Sequence, residues 1–265
     1  MLNILFFSIL SVLSFNVSGQ ENTLQRELAA CEKDKAKSCY QAATSYEHGS
    51  NGAKKDIPKM LKYYEKACDL GDSFSCDHAA YLFAEGYNGV EQNFNNAKEL
   101  YIKACNLGEA SGCYGLGDLY EYGKGVNQNF DSAFKLYTKA CDMHKHLGCY
   151  YLAKLYESGK GVKMSFAKAA HFYTESCNGD NEDGSYTNIS CVALGELYEN
   201  GNGVKQSFDE ALQIYSRACN DDDDAQACLK LGNLYETGKG TKKNIKEALK
   251  LYSKACDRGA NDACL

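Results

Sequence analysis

Two serine-lysine spacings in this sequence could do acyl-transfer chemistry. Ser132-Ala-Phe-Lys135 and Ser165-Phe-Ala-Lys168 both read Ser-x-x-Lys, the spacing that sets a lysine amine beside a nucleophilic hydroxyl in penicillin-recognising serine enzymes. The companion Ser-Asp-Asn and Lys-Thr-Gly elements are absent, and so are a Gly-x-Ser-x-Gly elbow and a His-Glu-x-x-His helix. Ser165 also stands where a helix N-cap is expected, and Ser132 in a first helical turn, so both hydroxyls have a structural use. The acidic segments Asp180-Asn-Glu-Asp-Gly184 and Asp221 to Asp224 suggest calcium at first sight. The first carries Cys191 where an EF-hand loop needs its twelfth-position glutamate, and the second lacks the glycine turn, so both read as solvated loops. Histidines 48, 78, 144, 146 and 171 follow no ligand spacing and no Cys-x-x-Cys occurs, so no zinc or other cofactor is expected.

The reactive residue present in quantity is cysteine, at 14 in 265 residues. Such density argues against a reducing cytosol. The net charge of -6 argues against a nucleic-acid partner, which would need a basic face. Residues 1–19 carry no charged side chain, and the apolar run Ile4 to Phe15 is too short to span a bilayer. With small residues Ser18 and Gly19 closing it, the segment reads as a signal peptide cleaved after Gly19, with an uncleaved anchor as the alternative. Export to a periplasm or the extracellular space, with no stable membrane insertion after cleavage, follows from that reading.

The cysteines fall at 31 and 39, 68 and 76, 105 and 113, 141 and 149, 177 and 191, 219 and 228, and 256 and 264. That period defines a repeat, with boundaries 39–75, 76–112, 113–148, 149–190, 191–227 and 228–265 after a leading helix in 20–38. Each copy reads as two helices. In the third, Leu116, Leu119 and Tyr120 make one apolar stripe, and Ala133, Leu136, Tyr137 and Ala140 the next. Gly49, Gly86, Gly123, Gly159, Gly201 and Gly238 end the first helices as left-handed caps. Asp56, Asn93, Asn129, Ser165, Ser207 and Asn244 open the second helices as N-caps. Gly117, Gly195 and Gly232, inside helices, imply close approach of a neighbouring helix. Tyr64, Tyr101, Tyr137, Tyr173, Tyr215 and Tyr252 recur in all six copies and read as core.

Two regular pairings fit this period. One joins the helices of each hairpin, Cys39 to Cys68 and onward, and strands Cys31 and Cys264. The other bridges each short loop, Cys31-Cys39, Cys68-Cys76, Cys105-Cys113, Cys141-Cys149, Cys177-Cys191, Cys219-Cys228 and Cys256-Cys264, with none left over, and is preferred.

The Leu-Gly-x-Leu-Tyr-Glu of 194–199 and 231–236, the Gly-x-Gly-Val of 123–126, 159–162 and 201–204, and the Lys-Ala-Cys endings at 68, 105, 141 and 256 resemble the Sel-like repeat, a tetratricopeptide relative. With the cysteine pairs, the pattern is similar to the secreted cysteine-rich Sel-like repeat proteins of bacteria. The resemblance implies an all-α fold, a right-handed α-solenoid of about six disulfide-stapled repeats, and the same cross-loop pairing. It also implies penicillin binding with weak β-lactamase activity, for which the residues supply no nucleophile, base and oxyanion hole together.

A solenoid's function lies in the positions that do not repeat. Offsets 1, 5 and 9 from each first-helix cysteine share one face, which in tetratricopeptide-like arrays is concave. Tyr40, Thr44, His48, Asp77, Tyr81, Tyr114, Asp118, Tyr122, Tyr150, Lys154, Glu196, Asn200 and Asn233 are the candidate ligand-binding residues there. Their tyrosine-rich, mixed-charge character suits a protein or peptide, with peptidoglycan fragments and their β-lactam mimics as further candidates.

Overall fold

The computed structural model describes residues 23–179, 185–220 and 224–264, and in the helix that begins at 185 it describes side chains from 188 onward. The expected signal peptide, Asp180 to Gly184 and Asp221 to Asp223 lie outside the described residues. Among the described residues the protein is all-α, with thirteen α-helices. They fall into two compact units, 1–128 and 129–265.

The first unit begins with α1 (23–31), followed by α2 (Ala36–His48), α3 (Ile57–Asp69), α4 (Ser73–Glu85), α5 (Phe94–Asn106) and α6 (Ala110–Tyr122). The second holds α7 (Phe130–Asp142), α8 (His146–Ser158), α9 (Phe166–Cys177), α10 (Ser185–Asn200), α11 (Phe208–Asn220), α12 (Ala225–Thr237) and α13 (Ile245–Asp257). Within each unit, first and second helices of a repeat pair as antiparallel hairpins, such as α4 with α5 and α8 with α9, and each hairpin packs on the next.

The local signals explain these boundaries. Asp56, Asn93, Asn129, Ser165, Ser207 and Asn244 each accept a hydrogen bond from a backbone N–H in the first turn of their helix. The six first-helix glycines all adopt left-handed backbone, φ between 65° and 76°, which a side chain would resist. The second helices bury a stripe at the helical period. In α5 this is Ala97, Leu100, Tyr101, Ala104 and Cys105, and in α7 it is Ala133, Tyr137 and Ala140, with Leu136 only half-buried.

Seven disulfides close the loops between repeats, joining 31 to 39, 68 to 76, 105 to 113, 141 to 149, 177 to 191, 219 to 228 and 256 to 264. No described cysteine is free. A nine-residue loop closed this way contributes about 2–3 kcal/mol in the chain-entropy model.

The tyrosine of each second helix but the last is buried at the seam between hairpins, whereas Tyr252 of the last is half-buried. A Cβ on Gly195 or Gly232 would lie 2.3 Å from the Tyr215 ring or 2.5 Å from the Tyr252 ring, both in the same repeat. The close approach at these two glycines is thus made by a ring rather than by a neighbouring helix backbone. On its other side the ring meets the following repeat: Tyr64 lies 4.8 Å from His78, Tyr137 stacks at 5.3 Å on Tyr151, and Tyr101 abuts Gly115. Tyrosines bury ~150–250 Å² each, so at ~25 cal/mol per Å² each ring contributes roughly 4 to 6 kcal/mol of gross burial before entropy. That exceeds a staple's share.

The lysine of Lys-Ala-Cys serves the same seam. Lys254 Nζ donates to the Cys219 carbonyl at 2.6 Å, and Arg217, in the equivalent place, to the Cys177 carbonyl at 3.3 Å. Each cation therefore sits at the negative end of the preceding repeat's second helix.

Two substitutions separate contact from conformation. At Gly203, φ is 69° and an added Cβ would meet Phe166 backbone at 2.2 Å, whereas at Gly259, φ is 93° with nothing within 4 Å. In urea unfolding, Gly203→Ala should lose about 2 kcal/mol or more. Gly259→Ala should lose only about 1 kcal/mol.

Candidate functional site

The structure places the thirteen face residues at the surface or half-buried, none of them in the core. They differ in what they touch. In the second unit the polar members are engaged within the chain. Glu196 pairs with Lys230, Lys154 Nζ lies 5.7 Å over the Tyr150 ring, the Asn200 amide donates to the Glu196 carbonyl at 2.9 Å, and Asn233 accepts from the Tyr252 hydroxyl at 2.7 Å. In the first unit, Asp118 pairs with Lys124 at 2.9 Å, and the Thr44 hydroxyl is folded onto its own helix. Lys124 also lies 5.4 Å over the Tyr122 ring.

What the first unit assembles is an aromatic strip. Phe74, His78 and Tyr81 follow one another at i, i+4 and i+7 on α4, so they share one face. Tyr40 of α2 meets the edge of Phe74 at 5.6 Å, Phe74 stacks on His78 at 6.1 Å, and Tyr81 lies 6.2 Å from Tyr87 in the turn after α4. Phe74, Tyr81 and Tyr87 remain 51 %, 45 % and 56 % exposed. Large rings left half in water on one helix face are the kind of contiguous apolar surface that a partner covers.

Beneath the strip lies a buried carboxylate. Glu47, 8 % exposed, accepts hydrogen bonds from the Tyr64 hydroxyl and from Asn88 Nδ2 at 2.7 Å, and faces His78 Nε2 at 3.3 Å. Burial pushes its carboxyl up. The Tyr64 hydrogen bond and the nearby His78 and His48 outweigh that and hold it below the usual range. Burial, reinforced by the same carboxylate, pushes the Tyr64 phenol well above its ordinary value. The cluster fixes the His78 ring against Phe74 and ties the turn Tyr87–Gly89 to the preceding repeat.

The serine-lysine pairs are placed for structure. The Ser165 hydroxyl accepts from Lys168 N at 3.3 Å as the cap of α9, while the Lys168 ammonium lies 4.9 Å over the Tyr156 ring. Ser132 sits in the first turn of α7 with its N–H on Asn129, and Lys135 is exposed. Asp224, the one described member of the second acidic segment, caps α12 through Ala227 N at 2.7 Å. Among the described residues no three His, Cys, Asp or Glu side chains converge as a metal site, and no helix is long and apolar enough to cross a membrane.

Sequence reasoning missed Phe74, His78, Tyr87, Asn88 and Glu47. The first two were legible as ring positions four apart, but they fall outside the three counted offsets. Glu47 belongs to a column that reads as solvent-facing by composition.

Hairpins of this size, stacked in series and capped alike, define a helical repeat protein. The Sel1 repeat matches residues 36–72, 74–109, 110–144, 146–181, 189–223 and 225–259, and the chain belongs to the Sel1 repeat family. Those six matches begin two or three residues before the cysteine-based boundaries. Among solved structures, the chain is similar to c5321, a protective antigen present in uropathogenic Escherichia coli strains displaying an SLR fold, at TM-score 0.81 and 23 % identity over 91 % of this chain and 50 % of that one. It is similar to a Sel1 repeat protein from Oxalobacter formigenes at TM-score 0.74 and 24 % identity, over 86 % of this chain and 64 % of that one. Cysteine rich protein B of Helicobacter pylori is 33 % identical over 49 % of this chain and 92 % of its own, at TM-score 0.40. The chain thus spans half of the first of these and under two thirds of the second. The first two likenesses are of fold alone. A search of curated proteins returns no match.

The Glu47 cluster makes a pH prediction. Its carboxyl is held below the ordinary 4.5, so its ionised form stabilises the fold fully above the unfolded value and loses that contribution as pH falls through the folded one. Glu47→Gln should cost about 1–2 kcal/mol at pH 7. Stability measured by urea at pH 7 and pH 3 should show the gap between the two proteins closing at the lower pH.

Proposed function

We propose that this chain is an exported, non-catalytic scaffold that binds a protein, a peptide or a peptidoglycan-like chain along the face formed by its first helices. The observation that carries this is the exposed strip of Phe74, Tyr81 and Tyr87, braced from below by the Glu47 cluster. Sel1 repeats are in general protein-interaction modules, and tyrosine-rich faces offer large contact area at low entropic cost. The multiple disulfides indicate an oxidising extracellular or periplasmic environment. Removal of residues 1–19 as a signal peptide accords with that compartment.

The alternative implied by the resemblance, weak β-lactam hydrolysis, gains no support from the two serine-lysine pairs. One hydroxyl is used as a cap and its lysine ammonium rests on Tyr156.

The test pairs binding with turnover. Oxidised protein is screened against peptides, muropeptides and a chromogenic cephalosporin. The double variant Phe74→Ala/Tyr81→Ala, which touches exposed rings, should leave the melting temperature within a few degrees while weakening ligand at least about tenfold. β-Lactam turnover that disappears in Ser132→Ala or Ser165→Ala would overturn the scaffold reading.

A further inference from the structure

Two residues before the cysteine of each second helix stand Lys66, Lys103, Lys139, Glu175, Arg217 and Lys254, so Arg217 is the one arginine in that column. At three seams the cation of the column has an oxygen partner. Lys66 pairs with Asp34 at 3.5 Å, Lys103 with Asp69 at 2.7 Å, and Lys254 donates to the Cys219 carbonyl at 2.6 Å. Arg217 reaches further. Its Nη1 donates to Asn178 Oδ1 at 3.1 Å and its Nη2 to the Cys177 carbonyl at 3.3 Å, while the same Nη2 lies 2.7 Å from Cys177 Sγ and 3.7 Å from Cys191 Sγ. Asn178 follows its cysteine as Asp69 follows Cys68, but it carries no charge to draw the guanidinium off the sulfurs.

A guanidinium so placed bears on thiol–disulfide exchange. Breaking an S–S bond leaves negative charge on the departing sulfur, and a cation in contact with that sulfur favours the thiolate and makes it the better leaving group. The planar fork matters, because one nitrogen holds Asn178 while the other faces both sulfurs. Two further features suit the same chemistry. Cys177 and Cys191 are 3 % and 0 % exposed, but Arg217 is exposed and forms the wall of a cavity of about 340 Å³ with Thr174, Asn178, Leu194 and Ile214 among others. An incoming thiol therefore has room beside the guanidinium. The two cysteines are also 14 residues apart, against 8 or 9 in the other six pairs, so an opened pair recloses roughly twofold less readily on loop length alone.

We propose that Cys177–Cys191, with Arg217 against it, is a thiol–disulfide exchange site whose substrate is a dithiol reductant. One thiolate of the dithiol attacks Cys191 Sγ, the Cys177–Cys191 bond breaks, and its electron pair passes to Cys177 Sγ, where the guanidinium meets the charge. The second thiolate of the dithiol then attacks the first sulfur of its own molecule, which closes the dithiol's disulfide and releases Cys191. The two protons given up by the dithiol end on Cys177 and Cys191, so the dithiol is oxidised and the staple reduced by two electrons.

The test exposes the oxidised full chain to limiting dithiothreitol at neutral pH, quenches with N-ethylmaleimide at intervals, and maps the labelled cysteines by mass spectrometry. Cys177–Cys191 should open at least about tenfold faster than Cys31–Cys39, Cys68–Cys76 and Cys219–Cys228, whose cysteines are equally buried. Arg217→Ala should slow the opening of Cys177–Cys191 about tenfold and leave those three pairs unchanged. A purely structural arginine predicts the reverse, since its loss would loosen the seam and speed the reaction. Lys103→Arg/Asp69→Asn, which recreates the Arg217 and Asn178 arrangement beside Cys68–Cys76, should speed the opening of that pair. A Cys177–Cys191 rate that is unchanged or higher in Arg217→Ala of unaltered melting temperature would overturn the proposal. So would a Cys68–Cys76 rate that does not rise in the double variant.

Discussion

The structure depends on one recurring contact: a second-helix tyrosine whose ring packs on the first helices and whose hydroxyl is held by the glutamate of its own repeat, as in Tyr64 with Glu47, Tyr173 with Glu157, Tyr215 with Glu199 and Tyr252 with Glu236. The ring supplies the larger share of the burial energy, and the hydroxyl bond supplies direction. With the ring set against Gly195 or Gly232, the two helices of a hairpin cannot slide without driving a methylene-sized clash into it. The glutamate, at the C-terminal end of the first helix, then fixes the helix end from which the glycine-capped loop departs. Disulfides add local constraint across the other loop, where Cys68 and Cys76 or Cys105 and Cys113 lie at the hinge between hairpins. The tyrosines arrange the hairpins, and the disulfides limit how far an opened repeat can wander.

This division of labour leaves the first-helix face unused by the fold, and the two units treat that freedom differently. In the second unit, lysines, asparagines and glutamates on the face satisfy one another. In the first, rings of α4 and of the turn after it stay in water while a buried glutamate with two histidines nearby braces them from beneath. Exposed rings without a folding purpose, on a rigid support, are what a recognition surface requires. The same unit contains the one repeat in which an alanine, Ala84, stands where the other five carry a glutamate.

Much of the fold was legible in the sequence, because a repeat writes each physical requirement several times. One glycine after a helical run is weak evidence for a left-handed cap, but six at one offset are strong, and the caps from Asp56 to Asn244 read equally plainly. Gly195 and Gly232 revealed crowding without revealing the neighbour, since only coordinates show that a ring and not a backbone approaches. Lys254 of Lys-Ala-Cys was legible as a signature and not as a helix-end partner, because its acceptor is a carbonyl of the preceding repeat. The site was half legible. Offsets 1, 5 and 9 located the face, while Phe74 and His78 fell between the counted columns, and Glu47 was hidden by the expectation that glutamates point to water.

The central claim is that the seam tyrosines Tyr64, Tyr173 and Tyr215 are held by the glutamates of their own repeats, whereas Tyr101 has Ala84 in that column. Tyrosine hydroxyl exchange reports this directly: with tyrosine labelled at the ζ carbon, the isotope shift in mixed light and heavy water separates hydroxyls that exchange slowly from those that exchange fast. Resonances are assigned by tyrosine-to-phenylalanine variants of the oxidised full chain. Slow exchange for Tyr64, Tyr173 and Tyr215 with fast exchange for Tyr101 is the predicted pattern. A Tyr101 hydroxyl as protected as the other three would contradict it.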